Sequence, residues 1–97
     1  MAETARNYDI STDEILFPHG EKFNVMEVAN AQQPWWNRTL CAVNDSVVRL
    51  GVLEGDFHWH KHDNEDELFL VMEGQLDIEL EDRMVSLKAG EAVVISA

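Results

Sequence analysis

The chain has little of three things: cysteine, basic residues and long apolar runs. The single cysteine, Cys41, cannot form a disulfide within the chain, and a lone thiol suits a reducing compartment. No apolar run approaches the roughly 18 residues that span a bilayer. Residues 1–12 also lack an apolar core of signal-peptide length. We therefore expect a cytoplasmic protein that does not cross a membrane.

Basic residues are too few to balance the acidic ones. Seven Lys and Arg stand against 19 Asp and Glu, which gives a formal net charge of -12. Such a field repels polyanions, so neither nucleic acid nor an anionic membrane surface is an expected partner. With 97 residues and a hydrophobic fraction of 45%, the chain suits one small globular domain. We expect an N-terminal extension over residues 1–22 and the folded domain over residues 23–97.

The N-terminal segment contains a possible helix signal. Ser11 with Glu14 three residues later fits the start of a short helical turn through residues 15–16. Pro18 then ends it. His19 lies in the turn-like region that follows, where a histidine without a partner in sequence is more often exposed to solvent than a ligand.

Residues 23–29 (FNVMEVA) have an apolar spacing that predicts a strand. After a polar break come adjacent tryptophans, Trp35 and Trp36. The favoured interpretation is that one of the two side chains packs into the end of the hydrophobic core. The alternative is that the pair lines a pocket mouth or buries a subunit contact.

Short strands separated by turn residues dominate the rest of the chain. Residues 39–43 and 47–54 flank Asn44-Asp45-Ser46, which predicts a hairpin. Residues 68–72 are apolar on both faces, and such a strand meets a core on one side and a second sheet or subunit on the other. Period-two alternation is clearest at Leu76, Ile78 and Leu80, and it continues at Val85 and Leu87. Residues 92–95 form the last predicted strand. This pattern indicates an all-β sandwich or barrel.

Possible metal ligands cluster at residues 55–74. His58, His60 and His62 occupy alternate positions, and residues two apart in a strand point to the same face. Glu67 follows five residues after His62, where a short turn would return a carboxylate to the same point. Two imidazoles and one carboxylate are a plausible set of ligands for a divalent transition metal.

The spacing of this cluster resembles the first motif of the cupins. His60-x-His62, four residues, Glu67, six residues and Gly74 fit that motif at each step. Residues 59–71 (WHKHDNEDELFLV) are most similar to small single-domain cupins of the mannose-6-phosphate isomerase-like type. The similarity covers residues 35–97, and it implies a jelly-roll β-barrel that holds a metal inside near one end.

By the same resemblance, His60, His62 and Glu67 are the metal ligands, and the metal is Fe, Mn, Zn or Ni. His58 has a supporting role, either behind the ligands or facing a substrate. An apolar interior of Phe69, Val71, Leu76, Ile78 and Val85 would exclude bulk water from the metal.

The second cupin motif is incomplete in this sequence. Gly90 and the five residues after it match, but Ser96 stands where the motif has proline, and the sequence ends at Ala97. The fourth histidine ligand and the closing strands would lie beyond that point. We therefore expect either a truncated barrel or one completed by the N-terminal segment or a partner subunit. His19 is the only internal candidate for a replacement ligand.

Three functions fit these observations. The first is a metal-dependent enzyme of oxygenase or sugar isomerase/epimerase type that acts on a small organic molecule. The second is a module that binds a small molecule or sugar without turnover. The third is a degenerate barrel used for assembly, which would form a homodimer through the two-sided apolar strand and the tryptophans. The fold does not choose among them.

Overall fold

The structure, a computed structural model, describes residues 9–54 and 65–96. Its elements in chain order are β1 (Asp9–Ile15), α1 (Val25–Asn30), β2 (Trp36–Val43), β3 (Ser46–Val52), β4 (Glu67–Leu70), β5 (Gln75–Glu79), β6 (Met84–Lys88) and β7 (Ala92–Ile95). Seven strands and one six-residue helix in the described ranges confirm the predicted all-β class. Within those ranges, no helix is long and apolar enough to cross a membrane.

Backbone contacts divide the chain into two compact units, Met1–Gly55 and Asp56–Ala97. The predicted boundary between an extension of residues 1–22 and a barrel domain of residues 23–97 remains a prediction. Strand β1 lies within the predicted extension, and it pairs with β2 of the predicted domain.

The first unit contains a three-stranded sheet in the order β1-β2-β3. Strands β2 and β3 form the predicted antiparallel hairpin. The turn between them places Asn44 in the left-handed region, at φ 52°, which asparagine tolerates better than most residues. The sequence therefore predicted this hairpin correctly from its turn residues.

Strand β2 carries one extra residue against β3. Thr39 pairs with Arg49 and Cys41 pairs with Val48, so Leu40 has no partner in the register. Both Thr39 and Leu40 are 1% exposed. Two consecutive buried residues are unusual in a regular strand, where neighbours point to opposite faces. The register shift therefore places both side chains in the interior of this unit.

The two adjacent tryptophans differ in burial, as the favoured interpretation predicted. Trp36 at the start of β2 is buried, whereas Trp35 is half-buried. The guanidinium of Arg38 lies 5.4 Å from the Trp36 ring centroid, within the range of a cation–π contact.

The predicted strand over residues 23–29 is wrong, because this segment contains helix α1. Asn24 is the N-cap, and its side-chain oxygen accepts a hydrogen bond from the Glu27 backbone N–H at 2.9 Å. An asparagine in this position satisfies an N–H that the first helical turn leaves without a partner. Val25, Val28 and Ala29 also have the i, i+3, i+4 spacing of one helix face. The cap and this spacing outweigh the short alternation at the start of the segment.

The predicted helical turn after Ser11 is also wrong, because that segment lies in strand β1. Strand β1 pairs in parallel with β2, with Ser11 opposite Arg38 and Ile15 opposite Thr39. The contact continues beyond the strand, where the Leu16 N–H donates to the Thr39 carbonyl at 3.1 Å. Pairing with β2, more than twenty residues away in sequence, supplies hydrogen bonds that an isolated turn of a few residues could not match.

The second unit consists of two antiparallel strand pairs, β4 with β7 and β5 with β6. Val71, Ile78 and Leu87 form its buried cluster. The partly buried residues packed against this cluster are Phe69, Leu76, Leu80, Val85 and Val93. All five residues predicted to form an apolar interior therefore pack together. The strands predicted over residues 68–72, 76–80, 85–87 and 92–95 are confirmed as β4 to β7, with small differences at their ends.

Candidate functional site

Glu67 begins β4 on the face that packs into the second unit. Along this strand Phe69 is half-buried and Val71, just beyond it, is buried, whereas Leu68 and Leu70 are exposed. Because side chains alternate along a strand, Glu67 shares its face with Phe69 and Val71. Glu67 is itself half-buried. A carboxylate therefore occupies the first position of an otherwise apolar face.

The cross-strand neighbour of Glu67 is Ile95. The two residues are direct partners in the register of β4 and β7, and Ile95 is 8% exposed. Sequence analysis missed this neighbour because β4 and β7 lie far apart in the chain and no local pattern reports their pairing. The short apolar run at residues 92–95 predicted the strand but not its partner.

The three histidines of the predicted site lie outside the described residues. His58, His60 and His62 belong to residues 55–64, so their positions relative to Glu67 remain a prediction. In residues 9–54 and 65–96, no three His, Cys, Asp or Glu residues are grouped closely enough to hold a metal ion.

His19 is exposed, as the sequence predicted. It lies in a turn where the Glu21 N–H donates to the Pro18 carbonyl and Gly20 has a φ of 86°. The His19 Nε2–H donates to the Ala42 carbonyl at 3.2 Å. A carbonyl only accepts hydrogen bonds, so this contact places the proton on Nε2 and gives His19 a role in holding the turn against β2. A role as a replacement ligand remains a prediction.

Other candidate groups behave as structural residues. Glu65 and Asp66 are exposed before β4, as expected of turn residues. Cys41 is a free thiol, half-buried in β2. Neither observation adds a catalytic group to the site.

The clearest electrostatic perturbation lies on the outer face of β5 and β6. Hydrogen bonds from Gln75 and then Ser86 lower the pKa of Asp77 below its usual 3.8. The Gln75 Nε2 donates to Asp77 Oδ1 at 3.0 Å. These bonds favour the ionised carboxylate. Asp77 points away from the packed face that carries Glu67, so it is not part of the candidate site.

Comparison with known proteins establishes the family. Residues 46–97, more than half of the chain, match the cupin domain family. The chain therefore belongs to the cupins. The strands of residues 9–54 and 65–96 agree with the all-β jelly-roll fold class of this family.

The chain is also similar to a protein of Bacillus subtilis. Over 74 residues the chain is 39% identical to the uncharacterized protein YdbB of Bacillus subtilis (strain 168). The aligned region covers 74% of this chain and 66% of the relative. The chain thus spans slightly less than two thirds of that relative's length. No solved structure matches the chain.

Proposed function

We propose that this cupin binds a divalent transition metal through His60, His62 and Glu67, and that a small organic molecule binds or reacts at that metal. The observation that carries the proposal is the position of Glu67 on the packed face of β4, opposite the buried Ile95. A half-buried carboxylate at the start of a strand supplies an oxygen ligand of a kind that divalent transition metals accept.

The donor set supports a metal that remains accessible to ligands. Two imidazoles and one carboxylate leave coordination positions open and suit Fe, Mn, Zn or Ni. A metal bound in this way supplies Lewis-acid or redox chemistry to a small molecule. Phe69 and Val71 follow Glu67 on the same face, and their side chains would keep bulk water from that molecule. His58 has the parity of His60 and His62, which supports a role behind the ligands or facing the substrate.

Two finer features belong to the same proposal. Residues 59–71 favour the mannose-6-phosphate isomerase-like type of small cupin. We also propose that the protein is cytoplasmic and forms a homodimer. The partners are then a small-molecule ligand and a second subunit, without nucleic acid or membrane.

Elemental analysis of the purified protein tests the metal site. We expect close to one equivalent of a transition metal in the wild type and a loss of that metal in His60→Ala and His62→Ala. Glu73→Gln is the control, because it changes an exposed carboxylate after β4 that is not one of the proposed ligands. If the wild type binds none of the four metals, or if the His60 and His62 variants retain full metal content, the proposal fails.

Turnover is tested separately from binding. Iron- or manganese-loaded protein is offered candidate substrates while oxygen uptake and product formation are followed. Product formation assigns an oxygenase or isomerase activity. Saturable binding without product assigns the protein to the alternative, a non-catalytic small-molecule or sugar-binding module.

A further inference from the structure

Arg83 lies at the end of the packed face of the β5–β6 hairpin. The Leu80 N–H donates to the Arg83 carbonyl at 2.8 Å, which extends the ladder one pair beyond Glu79 and Met84. Side chains alternate along a strand, so Arg83 has the parity of Val85 and not of Met84. Val85 packs against the buried cluster, whereas Met84 is exposed. A guanidinium group therefore begins a face whose next residues are apolar.

A cleft of about 460 Å³ joins this position to the end of β7. The β5–β6 turn (residues 80–83) forms one side of the cleft, and residues 94–96 form the other. Ile95 in the second side is the direct partner of Glu67, and directly opposed residues share a face of a strand pair. The cleft therefore extends to the cross-strand neighbour of the proposed metal ligand. Its volume is within the range of small-molecule sites.

Arg83 is the basic residue of this cleft. Its side chain is exposed, so a molecule in the cleft has access to it. In the part of the chain that the structure describes, no carboxylate forms an ion pair with Arg83. The other basic residue within residues 65–96 is Lys88, which pairs with Gln75 at the opposite end of the hairpin.

We propose that Arg83 binds the carboxylate of a small organic acid whose remaining part extends along the cleft toward the metal. The inference names the substrate class of the proposed function and rests on that function for the metal. The planar guanidinium matches a carboxylate with two parallel N–H···O bonds. Leu80 and Ile95 supply apolar walls for the rest of the molecule.

The neighbours of Arg83 favour a carboxylate over a phosphate. Glu81 and Asp82 line the same cleft, so the three charged side chains of the turn carry a net charge of -1. One guanidinium beside two carboxylates attracts a monoanion, whereas the nearly dianionic charge of a phosphate monoester at neutral pH increases the repulsion. Phosphate is therefore the anion that tests this selectivity.

Titration of the metal-loaded protein with benzoate and butyrate, followed by amide NMR, tests the inference. We expect shifts at Arg83 and Ser96 and a dissociation constant on the order of 1–10 mM, because the cleft is open and the probes are small. Benzamide and butyramide have the same shapes without the charge and should bind roughly 10-fold more weakly or less. Inorganic phosphate should also bind more weakly than benzoate.

Variants of the two basic residues separate Arg83 from the general charge of the protein. We expect Arg83→Gln to weaken benzoate binding roughly 10- to 100-fold. Arg83→Lys keeps the charge but loses the paired donors, so a loss of roughly 5-fold is expected. Lys88→Gln is the matched control, because it removes the same charge from the other end of the hairpin, and it should bind like the wild type. Circular dichroism verifies folding, and Arg83→Lys carries the test if Arg83→Gln does not fold.

Three results overturn the inference. They are benzoate binding that is unchanged in the folded Arg83 variants, phosphate binding tighter than benzoate binding, and no carboxylate binding up to about 100 mM. Metal content is measured on the same samples and should be equal in Arg83→Gln and the wild type; its loss would reassign Arg83 to the metal site. The titrations are repeated on metal-free protein. Benzoate binding through Arg83 in a protein that takes up no metal would refute the metal proposal alone.

Discussion

Glu67 lies directly opposite Ile95 where β4 pairs with β7, so a carboxylate and a buried aliphatic side chain are cross-strand neighbours. Residues directly opposite on one face have Cβ atoms about 5 Å apart. Apolar burial alone does not explain a glutamate in this position, because a leucine would serve the packing better.

We expect Glu67→Gln to weaken metal binding roughly 100-fold, because the amide keeps the shape of the side chain but lacks the charge. At a metal concentration 100 times the wild-type Kd, the wild type gains about 2.7 kcal/mol of stability, whereas a 100-fold weaker site gains about 0.4 kcal/mol. Chemical denaturation with and without metal measures this difference. Glu73→Gln, an exposed neighbour after β4, is the control and should behave like the wild type. Equal metal-dependent stabilisation in Glu67→Gln would show that this carboxylate is not a ligand.

The packing of the second unit predicts a large cost for shortening Ile78. This residue is 1% exposed and belongs to the cluster with Val71 and Leu87. Ile78→Ala removes buried methyl and methylene groups and leaves a cavity, so we expect the free energy of unfolding to fall by about 2–4 kcal/mol. Met84→Ala, at a position that is 56% exposed, should change it by about 0.5 kcal/mol or less. Urea denaturation of the metal-free proteins gives both values, and equal values for the two variants would contradict this core.

Helix α1 depends on its cap. The Asn24 side chain accepts from the Glu27 N–H at 2.9 Å, and α1 has only six residues. We expect Asn24→Ala to reduce the free energy of unfolding by about 1 kcal/mol, and Asn24→Asp to restore it. Asn30→Ala, at the other end of the helix, removes an exposed asparagine without a capping role and serves as the control. Amide hydrogen exchange at Glu27 and Val28 should accelerate only in Asn24→Ala, and unchanged exchange there would refute the capping role.

The hydrogen bonds to Asp77 predict a specific pH dependence. The ionised carboxylate accepts them, so the pKa of Asp77 is lower in the folded than in the unfolded protein. Their contribution to stability is therefore fully present above the usual pKa of 3.8 and is lost as the pH falls through the lower folded-state pKa. An NMR titration of the Asp77 carboxyl should give a midpoint below 3.8 in the wild type. Gln75→Ala should raise this midpoint more than Ser86→Ala, and a midpoint insensitive to both variants would contradict the assignment.

The sequence predicted the elements whose signals are local. Alternation at Leu76, Ile78 and Leu80 gave β5, and the Asn44-Asp45 turn gave the β2–β3 hairpin. The same reasoning failed at Ser11, where a capping pattern predicted a helical turn but the segment forms strand β1 and pairs with β2. It also failed at residues 23–29, where a short alternation concealed the Asn24 cap. Tertiary pairing and a single side-chain hydrogen bond decided these two segments, and neither is visible in hydrophobic periodicity.

The candidate site was predictable to a similar degree. The parity of Glu67 with Phe69 and Val71 is a property of the sequence, and the structure confirms that these three share the packed face of β4. The neighbour Ile95 was not predictable, because strand pairing over nearly thirty residues has no local signal. The predicted meeting of Glu67 with His60 and His62 depends on residues outside the described ranges and stays a prediction.

The extra residue at Leu40 determines where β2 can vary in length. Removing Leu40 would leave Thr39 opposite Arg49 and Cys41 opposite Val48, which is a regular ladder with every remaining side chain on its present face. A deletion at Ala42 would instead turn the residues beside it to the opposite face, because the side-chain period of a strand is two. Among relatives, a β2 one residue shorter is therefore compatible with this hairpin when the gap falls at residue 40, with loss of a single buried side chain.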